Sequence, residues 1–233
     1  RKNLYHNHAY GQLAELSSFD KITNEDAIDF ANEYFIQKQY KLFISGKAND
    51  DILNLVSSKI SSISYSPIDT IITNSALSPI VGLSEIAHKT AKQDSVRIGF
   101  NIPNQSSEDY LKINLLNTIL GGYFGSRLMQ NIREEKGWTY GINSTILPGK
   151  LASSLFISTD VLNGKGHDTI QEINNELSQL ASTVLSNGEF QKVSSYIKGN
   201  LLRSFDGVFE QMDRFQSCFL YDLSTQHYLD YLY

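Results

Sequence analysis

One cysteine, Cys218, stands among 233 residues, so no internal disulfide can form, and cysteine usage does not identify the compartment. Other absences narrow the field further. No apolar run approaches the length of a membrane span, and no signal-peptide pattern opens the chain. With 20 basic and 25 acidic residues the formal net charge is −5. No basic run or basic–aromatic stripe is present, which argues against nucleic acid as a partner. Gly-x-Ser-x-Gly, the Walker loop and Gly-x-Gly-x-x-Gly are all missing, and with them the usual signatures of serine hydrolases, nucleotide hydrolases and dinucleotide enzymes.

What is present is ordinary for a globular protein: 41% hydrophobic and 19% charged residues, enough to bury a substantial core. The chain opens at Arg1 and stops at Tyr233 inside a helical pattern, so both ends are expected to be cut. Residues 1–20, polar and aromatic without a clear period, are expected to be a linker from an upstream domain. Residues 21–233 are expected to form a single domain, truncated at its C-terminal end.

Thr23 followed by Asp26 has capping-box spacing for a helix whose apolar face is Ala27, Ile28, Ala31 and Phe35. Tyr40–Ser45 predicts a short strand. Asn49 or Asp50 caps a helix striped by Ile52, Leu55, Val56 and Ile60. Residues 61–84, rich in Ser, Thr and Pro, predict a loop or edge segment, and 84–90 a strand. Val96, Ile98, Phe100 and Ile102 alternate with Arg97, Gly99 and Asn101, the pattern of a half-buried strand. Ser106 and Asp109 start a helix that Gly121-Gly122 stops through the left-handed conformation glycine reaches freely. A second helix carries Arg133 in its last turn, and Gly137 leads into a hairpin of 138–147 and 151–161. Three further helices follow, the last with Phe205, Phe209, Met212, Phe215 and Phe219 at core spacing. This order predicts an α+β fold, a largely antiparallel sheet backed on one face by helices.

Reactive groups are few. His6-Asn7-His8 would need a third ligand and a rigid strand to hold metal, so these are expected to be solvated linker histidines. Glu85 with His88 lacks the second histidine of a zinc helix. Cys218, among Phe215, Phe219 and Leu220, is expected to be a buried, inert thiol. Gly121-Gly122 with Gly125 follows a helix rather than a strand, which argues against a phosphate loop. Arg133 and Tyr140 remain. Arg133 has a structural alternative as a cation complementing a helix C-terminus, and Tyr140 as a strand aromatic packing beside Trp138 or Ile142. From composition alone those alternatives come first. The chemical alternative is a guanidinium fork and a phenol that both donate to a peptide carbonyl, positioning a scissile amide and stabilising its oxyanion.

Asn117-Thr118-Ile119-Leu120-Gly121-Gly122, Ser126-Arg127-Leu128 and Arg133-Glu134-Glu135-Lys136-Gly137-Trp138-Thr139-Tyr140 resemble the insulinase, pitrilysin and mitochondrial-processing-peptidase family of zinc peptidases, in its second, C-terminal, non-zinc domain. The likeness extends more weakly to His8-Ala9-Tyr10-Gly11, to Ile22–Gly46 and to Asn187-Gly188-Glu189-Phe190. The resemblance implies a clamshell pairing with a zinc-bearing homologous domain or subunit. It also implies that Arg133 and Tyr140 reach a peptide or unfolded-protein substrate near the partner's metal. His-x-x-Glu-His occurs nowhere in the sequence. The chain is therefore expected to hold no cofactor and hydrolyse nothing alone, with zinc in the partner domain or subunit. A homodimer of the fragment stays open, as does an inactive member serving as a structural, assembly or peptide-binding module. Retention of the Arg/Tyr pair leans against a pure scaffold.

Overall fold

The computed structural model describes residues 2–6, 8–36, 41–61, 79–151, 153–224 and 226–229. Helix α1 (Lys2–Tyr5) and a 3-10 turn at Ala9–Gly11 precede α2 (Leu16–Phe19), α3 (Asn24–Ala31) and α4 (Asp50–Ile60). Strand β1 (Gln93–Ile102) leads to α5 (Tyr110–Asn117), which runs on as a π-helical turn over Thr118–Gly122. A second π-helical segment, Met129–Glu135, precedes β2 (Thr139–Leu147) and β3 (Ser153–Leu162). Helices α6 (Gly166–Ser182), α7 (Asn187–Arg203), α8 (Val208–Leu220) and α9 (Gln226–Leu229) complete the order.

Local chemistry accounts for most of these boundaries. The Thr23 hydroxyl accepts the Asp26 N–H while the Asp26 carboxylate accepts the Thr23 N–H, the reciprocal box its spacing predicts. Asn49 caps α4 through the Ile52 N–H at 3.0 Å. The three strands pair antiparallel in the order β1-β3-β2, with Ile98 and Ser144 both opposite Ile157 and with Phe100 and Ile146 both opposite Leu155. Alternation sends Val96, Ile142, Leu155, Ile157 and Val161 to one face, where Leu120, Leu128, Met129, Ile132 and Ile173 pack against them. The other face is polar, with Arg97 paired to Asp160 at 2.9 Å. Hydrogen bonds from Ser95 and then Arg97 hold the Asp160 carboxyl below the usual range. The fold is α+β, one antiparallel sheet with α6 and the two π-helical segments on one face and the short α1 against Gly99 and Ser154 on the other.

Several expectations fail for physical reasons. Residues 41–45 form no strand, while Tyr40 lies outside the described residues. Instead Phe43 lies edge-on to Phe215 and Phe219, and the Ser45 hydroxyl donates to the Val208 carbonyl. Residues 84–90 form no strand, since Ile86 is 92% exposed and has no apolar neighbour on its own face to bury it. Most of the expected loop, 62–78, lies outside the described residues. Helix α5 begins at Tyr110, four residues after Ser106, whose hydroxyl donates instead to Asn104 within a turn.

Gly121 and Gly122 do not adopt the left-handed conformation; the helix winds through them as a π turn and ends at Tyr123. Gly121 is required for a different reason, because a Cβ there would lie 2.7 Å from the Ser144 backbone nitrogen. Gly137, at φ +64°, is the left-handed residue that ends the second helix. The aromatic row of α8 is not core: Phe209, Phe215 and Phe219 are exposed, because the sheet face is already filled by α6 and the helices flanking Gly121-Gly122. Cys218 is buried beside Leu201, as expected, and burial pushes its thiol up. His8 is no solvated linker residue. It is buried, accepts the Tyr10 N–H at 3.1 Å, and sits edge-on to the Tyr10 ring. Nearby, Leu4 and Tyr5 are also buried, with Tyr5 hydrogen-bonded to Ser154.

Candidate active site

Leu128 and Ile132 are fully buried and fix one side of the second helix to the sheet. Polar groups fix its flanks. Arg127 Nε and Nη2 each donate at 2.8 Å to one carboxylate oxygen of Glu189 on α7, the planar fork geometry a guanidinium favours. That pairing holds the Glu189 carboxyl below the usual range and raises Arg127. The Asn131 amide donates to Glu172 and Glu176 on α6 at 3.1 and 2.7 Å, and Lys136 approaches Glu172 at 3.4 Å. The helix carrying Arg133 is thus tied to both α6 and α7.

Arg133 is partly exposed near the end of that helix. One guanidinium nitrogen donates to Glu134 at 2.7 Å, and the guanidinium carbon lies 4.7 Å from the centre of the Phe124 ring. Its own carbonyl accepts the Gly137 N–H at 3.1 Å, and Ile132 accepts the Trp138 N–H, so the chain turns tightly from helix into strand. The Trp138 carbonyl then accepts the Leu162 N–H, seating the junction on β3.

Tyr140 follows at the start of β2, an edge strand of the three. Thr139 pairs with Val161 and Ile142 with Thr159, three steps on β2 against two on β3, so β2 carries an extra residue. The Thr139 hydroxyl fills the gap: it accepts the Gly141 N–H at 3.1 Å and lies 2.8 Å from the Asp160 carbonyl. Bulges of this kind re-aim side chains, and Tyr140 is 94% exposed. The structure therefore removes the packing alternative for Tyr140, since that ring lies against neither Trp138 nor Ile142. Arg133 does sit in the last turn of its helix, as the dipole alternative requires, yet among the described residues its guanidinium fork spends one hydrogen bond, to Glu134, of the five it can donate. The two π-helical segments lie either side of the turn 123–126, and such segments concentrate at functional sites.

Other candidates separate. His88 meets Thr90 at 3.2 Å while Glu85 meets His167 at 3.0 Å, so Glu85 and His88 do not converge. Among the described residues, no group of three or more His, Cys, Asp and Glu side chains is arranged to hold a metal ion. These residues do not fit a zinc site. Nor is any helix among them long and apolar enough to cross a membrane. Sequence reasoning passed over Phe124 and the Arg127–Glu189 pair. The only sequence signal for Phe124 is an aromatic residue between glycines, in a loop where such a ring has little to pack on.

A family model described as the peptidase M16 inactive domain matches residues 21–195. The chain belongs to the peptidase M16 family. The match agrees with the resemblance carried by residues 117–140 and places the chain with the family's non-zinc domain. Among curated relatives, an uncharacterized zinc protease of Mycobacterium leprae is 26% identical over 129 residues, 55% of this chain and 29% of its own length. A Bacillus subtilis zinc protease is 26% identical over 130 residues, 54% of this chain and 31% of its own. The chain thus spans about three-tenths of the length of these relatives. The peptidase M16 inactive domain of Pseudomonas fluorescens superposes with a TM-score of 0.75 at 18% identity, covering 99% of this chain and 56% of that one. A Helicobacter pylori protease gives 0.80 at 17%, covering 98% and 57%. At those identities the superpositions establish the shared M16 fold.

Proposed function

We propose that this M16 inactive domain is the substrate-binding half of a zinc metalloendopeptidase, with Arg133 and Tyr140 as its contribution to an active site completed by a zinc-bearing domain or subunit. The observation that carries the proposal is the bulge at Thr139–Ile142, which leaves the Tyr140 phenol 94% exposed one short turn after the Arg133 helix. A strand aromatic placed for stability would be buried; this one is held out on an edge strand. Arg133 binds the carbonyl of a peptide substrate, and the Tyr140 hydroxyl donates to the same oxygen as it becomes tetrahedral and negative. Donors already in place at an oxyanion act without reorganising when the charge develops. The metal is supplied by the zinc-bearing half, a reading that the zinc-protease names of the relatives support.

The test is turnover of a peptide by the chain together with its zinc-bearing half. Arg133→Ala and Tyr140→Phe each lower kcat by roughly ten- to a thousandfold, the scale of losing one oxyanion donor. Unchanged turnover in both variants rejects the assignment. It leaves the second reading, an assembly or peptide-binding module, which the exposed apolar residues Ile28, Phe30, Ile52 and Leu55 of α3 and α4 favour.

A further inference from the structure

Phe124 occupies a turn built to hold it outward. Its neighbour Tyr123 folds inward, with its ring 5.0 Å from that of Tyr196 on α7. Ser126 is buried and its N–H closes the turn onto the Tyr123 carbonyl at 3.1 Å. Gly125 permits the closure: a Cβ there would lie 2.8 Å from the Tyr123 ring. The turn is therefore anchored from beneath, and its phenyl ring stands 66% exposed with the Arg133 guanidinium stacked over it at 4.7 Å.

We infer that Phe124 is a specificity-determining residue, an apolar platform that selects a large aliphatic or aromatic substrate side chain beside the carbonyl that Arg133 holds. This rests on the proposed role of Arg133. An extended peptide advances about 3.3 Å per residue. The ring is only 4.7 Å from the guanidinium, so a residue flanking the bound carbonyl falls within one side-chain length of it. The charge beside the ring sets the second half of the preference. A basic substrate residue meets the Arg133 cation, whereas an acidic one competes with the carbonyl for it. An apolar side chain covers the exposed phenyl and leaves the guanidinium to the backbone.

The experiment uses the chain with its zinc-bearing half and a set of fluorescent peptides that carry Phe, Leu, Ala or Lys at each position around the cleaved bond. Both kcat/KM and peptide Kd are measured for the unsubstituted protein and for Phe124→Ala, Phe124→Leu and Arg133→Ala. The unsubstituted protein favours Phe and Leu over Ala and Lys at one flanking position. Phe124→Ala flattens that preference roughly tenfold, the scale of altered apolar contact in a specificity pocket. It lowers cleavage of the Phe and Leu peptides more than that of the Ala peptide, while Phe124→Leu keeps most of the discrimination. A uniform loss across all peptides in Phe124→Ala overturns the inference, because the ring then only positions Arg133. So does a preference that survives Phe124→Ala, or a protein that neither binds nor cleaves any peptide of the set. Arg133→Ala separates the two proposals: an even loss across the set supports the carbonyl-binding role whatever Phe124 does. Unchanged turnover in Arg133→Ala alongside a flattened preference in Phe124→Ala rejects that role and leaves Phe124 as a subsite.

Discussion

Helices α3 and α4 begin with caps from their own N-cap side chains, the Thr23 box and Asn49, whereas Lys165 gives α6 no such cap and its first N–H, from Gly166, is accepted by the distant Asp94 carboxylate of β1 at 2.9 Å. Yet α6 buries Thr169, Ile173 and Glu176, and neither α3 nor α4 buries a single residue. All three show apolar stripes at helical spacing. The difference lies in what stands opposite the stripe: α6 meets Val161 and Ile157 of the sheet, while the stripes of α3 and α4 face no comparable wall among the described residues. Caps and periodicity decide where a helix forms, and a facing element decides whether it is cemented. The candidate site belongs to the cemented part, since Arg133 rides on a helix whose Leu128 and Ile132 are fully buried.

The largest break in this contrast comes from the sheet. Ile157 is fully buried at the centre of β3, the middle strand, and faces Ile98 and Ser144. Ile157→Ala removes buried carbon from a position with little freedom to collapse, and is expected to destabilise by about 2–5 kcal/mol. Urea unfolding followed by far-UV circular dichroism measures it. A loss below about 1 kcal/mol would mean that the sheet face is not the cooperative core.

A smaller effect is expected at the Arg127–Glu189 fork, which ties the start of the Arg133 helix to α7. Glu189→Gln keeps the shape but leaves a half-buried guanidinium without its charged acceptor, at about 1–3 kcal/mol. The pH dependence has a definite sign. The Arg127 hydrogen bond lowers the Glu189 pKa in the folded state relative to the unfolded chain. Its contribution is therefore complete above the unfolded value of about 4.3 and is lost as pH falls through the lower folded value. Arg127 is raised and stays charged throughout this range. The stability gap between the unsubstituted chain and Glu189→Gln is expected to hold constant from about pH 7 to 5 and to close below about pH 4. A gap that persists to pH 3 would show that the fork is not its source.

The legible features were those set within a few residues. The Thr23 box, the Asn49 cap, the alternation of β1, the hairpin of β2 and β3 and the turn at Gly137 all follow from local chemistry, and all are present. What failed was set by distant partners. Residues 41–45 had the composition of a strand, but their aromatic residue found α8, not a strand edge. Gly121 looked like a helix terminator, although Ser144, twenty-three positions away, is what forbids a side chain there. Arg133 and Tyr140 stand out as candidates only through the family spacing they resemble; the bulge that exposes Tyr140 could not be read from residues, because it depends on the register of β2 against β3. Phe124 escaped notice for the same reason, its meaning coming from the guanidinium that stacks on it.

The smallest expected effect sharpens the contrast most. Ile28 and Leu55 lie on the apolar stripes of α3 and α4, and both are exposed. Ile28→Ala and Leu55→Ala delete as much carbon as Ile157→Ala does. With no wall to leave a cavity in, each is expected to change the stability of this chain by no more than about 0.5 kcal/mol. Alanine's higher helix propensity offsets part of even that loss, especially against the β-branched isoleucine. The same urea unfolding measures both. If the stripes are covered by the zinc-bearing half in the assembled protein, the same substitutions weaken that association instead, and the two-part unfolding profile shifts only when both halves are present. A loss above about 1.5 kcal/mol in this chain alone would place α3 and α4 in the cooperative core, and the division between a capped and a cemented region would not hold.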